Sequence, residues 1–143
     1  MSVITKAIFD RMANDTILTN QLGVYASAPS IFTKIPLPSD FDTKLHAPYI
    51  LTTGEVSVDP GPTDVKNASG RELLRDIRTF APIKDSPSIV ESITERIRDL
   101  FHRQNFIITG FTIIVSEITG PVVADEEDVI GRIQTLRLML TEP

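Results

Sequence analysis

Ser86-Pro87-Ser88-Ile89-Val90-Glu91-Ser92-Ile93-Thr94-Glu95-Arg96-Ile97-Arg98-Asp99-Leu100-Phe101-His102-Arg103 is the stretch on which the fold turns. Ile89, Ile93, Ile97, Leu100 and Phe101 fall on one side of a 3.6-residue wheel, which predicts an amphipathic helix with a continuous apolar stripe. Ser86 precedes Pro87, a residue suited to the first helical position, while Ser88 and Glu91 offer a competing capping box. Glu91 lies near the positive end of the helix dipole, and His102 and Arg103 near the negative end. Asp99 and Arg103 stand four apart on the exposed side. A helix of this kind covers one face of a sheet.

Strands are expected on both sides of it. Upstream, Pro48-Tyr49-Ile50-Leu51-Thr52-Thr53 is rich in β-branched and aromatic residues and runs on through Val56 and Val58. Asp59-Pro60-Gly61-Pro62 then carries strong turn chemistry, followed by a polar run from Thr63 to Ser69. Gly70 to Ala81 reads as the return strand, with Leu73, Ile77 and Thr79 on one face and Leu74 and Phe80 on the other. Arg71, Arg75 and Arg78 are spread over both faces, a pattern expected at a sheet edge or in a projecting hairpin. Downstream, Phe111 to Thr119 alternates as a strand closed by Gly120-Pro121. Val129 to Leu140 is the last strand, with Leu136, Leu138 and Leu140 on one face. Asp125-Glu126-Glu127-Asp128 joins these two as an acidic hairpin loop.

The N-terminal part reads as two helices. Ile4, Ala7, Ile8 and Met12 recur at helical spacing after Ser2, a candidate N-cap, and Asp15 caps a second, shorter helix that Gly23 is placed to end. Tyr25 to Pro48 contains Pro29, Pro36, Pro38 and Pro48 and is expected to be a long, exposed connection, with a mobile contact arm as its functional reading. The fold class that follows is α+β: a mostly antiparallel sheet, one long helix and N-terminal helices packed on it, and a projecting β-hairpin. At 143 residues the chain is expected to form one domain spanning 1–143, long enough to bury roughly two thirds of its unfolded surface.

Composition narrows the function. There is no cysteine, which removes disulfides, thiolate metal sites and cysteine nucleophiles. The net charge of −5 disfavours a general phosphate-binding surface. The N-terminus has no apolar run with a cleavage site, and no stretch reaches the ~20 apolar residues of a spanning helix, so a soluble, intracellular protein is expected. His46 and His102 are far apart in sequence, the acidic tetrad lacks the spacing and glycine of a calcium loop, and no phosphate-cradling or nucleophile-elbow motif occurs. The expectation is a protein without catalytic, metal or cofactor-binding residues.

In order and spacing, several short motifs resemble the tail-completion or tail-terminator proteins of long-tailed bacteriophages and related prophage particles. They are Asp15-x-x-Leu18-x-x-x-Leu22-Gly23, Pro48-Tyr49-Ile50, Gly70-Arg71-Glu72, Arg75-Asp76-Ile77-Arg78-x-Phe80, Leu100-Phe101-His102-Arg103-Gln104, Gly120-Pro121-Val122 and Gly131-Arg132-Ile133. Ser27 to Ala47 falls outside the resemblance. The resemblance implies a ring, usually sixfold, on the head-proximal end of the tail tube, which stops tube growth and offers the head its attachment surface. Its partners would be further copies of itself, the tail tube protein and a neck protein, with DNA passing through the lumen unbound; its place would be the virion, assembled in the host cytoplasm. Within such a ring Arg71, Arg75 and Arg78 are expected to meet a neighbouring subunit, and Asp125, Glu126, Glu127 and Asp128 to face the lumen or a ring surface. A head-completion or stopper protein, a cellular protein-binding module and a small hydrolase are the competing classes.

Overall fold

The computed structural model describes residues 2–54, 56–58 and 70–142 except 127, with the backbone alone at 56–58. The turn at Asp59-Pro60-Gly61-Pro62, the polar run from Thr63 to Ser69 and Glu127 of the acidic tetrad lie outside the described residues. Helix α1 (Val3–Ala13) starts where Ser2 Oγ accepts from the Thr5 amide, and α2 (Thr16–Thr19) where Asp15 accepts from the Leu18 amide. Short strands β1 (Val24–Tyr25), β2 (Ala28–Pro29) and β3 (Ile31–Phe32) follow, then β4 (Tyr49–Leu51), β5 (Val56–Val58) and β6 (Gly70–Pro82). Helix α3 (Pro87–Phe101) leads to β7 (Thr112–Val123) and β8 (Val129–Thr141).

One mixed sheet organises the chain. Its order is β3-β4-β6-β8-β7, with β5 also paired to β6, and every pairing except β3 with β4 is antiparallel. This is the expected α+β arrangement, and β5 with the first half of β6 forms the two arms of the expected hairpin. The expectation of an edge position for the Gly70–Ala81 strand is corrected. β6 lies inside the sheet, paired to β8 from Gly70↔Thr141 to Pro82↔Val129. Both faces accept its charges: Glu72, Asp76 and Arg78 take the side away from the helices, while on the helix side Arg75 is buried beside Leu73, Ile77 and Thr79 with its donors satisfied by Thr52 and Thr5.

The core lies between this inner sheet face and the helices. Ile4, Ile8 and Met12 of α1, Ile93, Ile97, Leu100 and Phe101 of α3, and Leu136, Leu138 and Leu140 of β8 form one cluster. Ser86 caps α3 by accepting from the Ser88 amide, with Pro87 in the first turn. The helix is rotated slightly from the stripe read off the sequence. Ile89 is 36% exposed, and Val90 is buried beside Ala81 and Ile130.

Three other local expectations change. Gly120-Pro121 does not end β7; the strand continues to Val123 across a bulge between Thr119 and Val122, with Gly120 at φ +94°. A second bulge between Ile113 and Val115 shifts the inward face, so Ser116 and Ile118 are buried while Val115 is half-buried. Gly23 is not the cap of α2, which ends at Asn20. A Cβ there would lie 2.0 Å from the His46 carbonyl oxygen, so this glycine allows two backbones to touch.

That contact belongs to the proline-rich segment from Tyr25 to Pro48, which is exposed over much of its length, as expected, and is tied to the body by short strands and aromatic contacts. β1 and β2 form a tight hairpin through Ala26 and Ser27, both at positive φ. Phe41 then sits 4.9 Å from Phe32 and 5.0 Å from Tyr49, which in turn stacks 5.2 Å from Phe80. This aromatic cluster closes one end of the sheet's outer face. Among the described residues no helix is long and apolar enough to cross a membrane.

Candidate functional site

Side chains alternate across a strand, so the face of β6, β8 and β7 turned away from the helices is fixed by register. Glu72, Leu74, Asp76 and Arg78 stand on β6, opposite Met139, Arg137, Thr135 and Ile133 of β8. Beyond the aromatic cluster, these side chains are half-buried to exposed. Most of the charge here is spent within the face. Arg137 donates to Glu72 at 2.6 Å and reaches Glu117 of β7 at 3.5 Å, while Asp76 accepts from Thr135 at 3.0 Å. The hydrogen bond to Glu72, aided by the charges of Glu72 and Glu117 and opposed by desolvation, holds the Arg137 proton more firmly than usual. Arg78 differs: it is exposed and has no hydrogen bond or ion pair among the described residues.

A hollow of about 380 Å³ opens beside it, lined by Leu51, Thr53, Gly54, Leu74, Asp76, Arg78 and Thr135. Its origin is a slip in register. β4 pairs with β6 as Leu51↔Arg78, but β5 pairs as Val56↔Leu74, so one extra residue is taken up between them, next to Gly54 at φ +53°.

The three arginines singled out in the sequence separate. Arg75 is 2% exposed and is therefore corrected from a surface position to an interior one. It donates to the Thr52 hydroxyl at 2.7 Å, the Thr52 carbonyl at 3.0 Å and the Thr5 hydroxyl of α1 at 3.0 Å, so it joins helix to sheet within one subunit. Arg71 lies over the Phe111 ring, 5.6 Å from its centroid, at the opposite end of the sheet from the aromatic cluster. Only Arg78 stands beside the hollow.

The acidic hairpin is partly committed to its own turn. Asp125 accepts from the Gly131 amide and from Arg132, both at 3.0 Å, and the Asp128 carbonyl accepts from the Ile83 amide at 3.1 Å. Glu126 and Asp128 are exposed and make no ion pair among the described residues. Arg71 and this tip stand at the two ends of β6, and 13 strand residues at about 3.4 Å each set them roughly 40 Å apart.

Sequence reading missed a bidentate pair: Arg96 of α3 holds Asp15 at 2.8 and 2.7 Å. The 81-residue separation left no local signal. The Arg96 hydrogen bonds, aided by the Leu18 amide and opposed by desolvation, hold the Asp15 carboxyl below its ordinary value of 3.8. Because the folded value lies below the unfolded one, the stabilisation is present above 3.8 and is lost as pH falls through the folded value. Asp15→Asn is therefore expected to be less stable than the parent at neutral pH. The gap in denaturant midpoint should narrow below pH 3.8. A gap that persists unchanged through acid titration of the carboxyl would remove the pair from the account of stability.

Both histidines accept backbone protons: His46 Nδ1 from the Asp42 amide at 2.9 Å, and His102 Nδ1 from the Ile118 amide of β7 at 3.1 Å. His102, placed by sequence at a helix end, thus also covers part of the β7 edge, together with the Arg103 amide that donates to the Ser116 carbonyl at 2.7 Å. Among the described residues no group of three or more His, Asp or Glu side chains is arranged to hold a metal ion.

No protein-family model matches the chain, and no curated protein does. Solved structures do. A chain of the virion of a native gene transfer agent (GTA) particle superposes with a TM-score of 0.68 at 11% identity, covering 95% of this chain and 94% of that one. The fold is one found in a gene transfer agent virion. A second solved chain, whose name states no function, gives a TM-score of 0.57 at 12% identity, with 96% of each chain covered. At these identities the likeness is one of fold, and it runs nearly the length of both partners.

Proposed function

We propose that this chain is a structural subunit of a phage-type particle: it forms a ring at the head-proximal end of a tail tube, ends tube polymerisation there and presents the surface to which the head attaches. The observation that carries the reading is the likeness to a virion chain, which takes in nearly the whole of both partners rather than one shared motif. The surface supports it. A cyclic ring joins two different patches of the same subunit, and this chain has distinct ones: an open sheet face with a hollow, an acidic tip, and an arginine-bearing end roughly 40 Å from that tip. In this reading the protein is not an enzyme and holds no metal or cofactor. Its partners are its own copies, the tail tube protein and a neck protein, and an acidic surface lets DNA slide through the lumen because phosphates find few cations to retain them.

The test is sedimentation and negative-stain imaging of the purified protein, alone and with polymerising tail tube protein. A ring of fixed subunit number that seats on one tube end and halts elongation is the expected result. Rings that bind filled heads but leave tube growth unchanged would assign the chain to head completion instead. A monomer at every concentration, without effect on tubes, would overturn the ring altogether.

A further inference from the structure

We propose that the hollow beside Arg78 on one copy receives the tip of the β7–β8 hairpin of the next copy, so that Glu126 or Asp128 pairs with Arg78. The contact rests on the ring reading and specifies which surfaces close it. The first observation is the lone cation. On the outer sheet face Glu72, Arg137, Glu117 and Asp76 satisfy one another or Thr135, and Arg78 alone has no such partner among the described residues. The second is its setting. Leu51 and Leu74 wall the hollow, so a pair formed there sits in a medium of lower dielectric than open water, where charges attract more strongly.

The third observation is the complementary charge of the tip. Glu126 and Asp128 are exposed carboxylates that make no ion pair among the described residues. Asp125 is already engaged by Gly131 and Arg132 and is left out of the contact. A copy cannot fill its own hollow. Arg78 is opposite Ile133, and the tip precedes Val129 at the start of β8, four residues earlier and roughly 13 Å away, and no ion pair forms between them among the described residues. A face and a tip are different patches, so the contact is heterologous and propagates from copy to copy until it closes.

The experiment is a charge exchange read by sedimentation, with thermal unfolding as the folding control. Arg78→Glu alone, and the double variant Glu126→Lys with Asp128→Lys alone, should each lose assembly while keeping the parent's unfolding midpoint. Mixed one to one they should assemble again, because every alternating contact is then complementary. The hollow that has gained a carboxylate meets the lysine tip, and the hollow that keeps its arginine meets the acidic tip. If each variant assembles like the parent, the contact is refuted while the ring survives. If Arg78→Glu fails but the tip variant assembles, the partner carboxylates lie elsewhere, the exposed Glu91, Glu95 and Asp99 of α3 being next in line, and the proposal falls. If the parent itself never assembles, the ring reading fails and takes this contact with it.

Discussion

Phe101→Ala is expected to lower the unfolding free energy by about 3–5 kcal/mol, a large share of the roughly 5–15 kcal/mol that holds a domain of this size together. Phe101 is fully buried at the end of α3 and meets Phe106 edge-on at 5.4 Å, so its removal leaves a void that the surrounding sheet and loop cannot collapse to fill. The Phe101 carbonyl also accepts from Ser116 Oγ at 2.5 Å, which ties the helix end to β7 and limits how far the backbone can shift in response. Ile97→Ala and Ile93→Ala, one and two turns earlier on the same face, should each cost about 2–5 kcal/mol. Denaturant midpoints measure all three. Values close to the parent's would mean that the stripe faces a partner or solvent rather than this sheet.

The helix was legible because its signals agree at every level: period, cap, dipole and apolar stripe all describe one segment, and the sheet it covers follows from the strands on either side. What sequence could not supply was pairing order. Two strands with turn residues between them look like a hairpin whether or not a third strand inserts beside them, and the insertion of β8 against β6 makes an interior strand of one read as an edge. The bulges at Ile114 and Gly120 were hidden for a related reason. A bulge depends on how two strands are matched, so alternation along β7 alone predicts the wrong face beyond it.

The proline-rich segment was legible in its exposure but not in its order. It has almost no regular hydrogen-bonded structure, and proline density reads as exposure. Its order comes from aromatic side chains scattered from Tyr25 to Phe80, which no local window joins. Of the candidate assembly residues, composition could mark Arg78 and the acidic tip as charged surface, but the hollow beside Arg78 exists only because β4 and β5 meet β6 one residue out of step. The match to a virion chain came from the fold, at an identity of 11%.

Arg75 gives the strongest contrast between a charge read from sequence and one placed by the fold, and Arg75→Ala is expected to cost about 3 kcal/mol. Hydrogen bonds from a charged donor contribute about 1.5–3 kcal/mol net, and truncation here also strands the Thr52 carbonyl and leaves a void between α1 and the sheet. Arg75→Lys should recover only part of the loss. An ammonium is a point charge and cannot reach the Thr52 hydroxyl, the Thr52 carbonyl and the Thr5 hydroxyl at once, as the planar fork does. Arg78→Ala, three residues further along the same strand, removes an exposed side chain without a partner among the described residues and should stay within about 0.5 kcal/mol of the parent. Parallel denaturation of the three variants checks both halves. If Arg75→Ala unfolds with the parent's midpoint, its guanidinium is not a fastening of the monomer, and a place at a subunit contact becomes open to it again. If Arg78→Ala falls with it, the outer face is part of the fold's own stability and the hollow loses its standing as a surface kept for another copy.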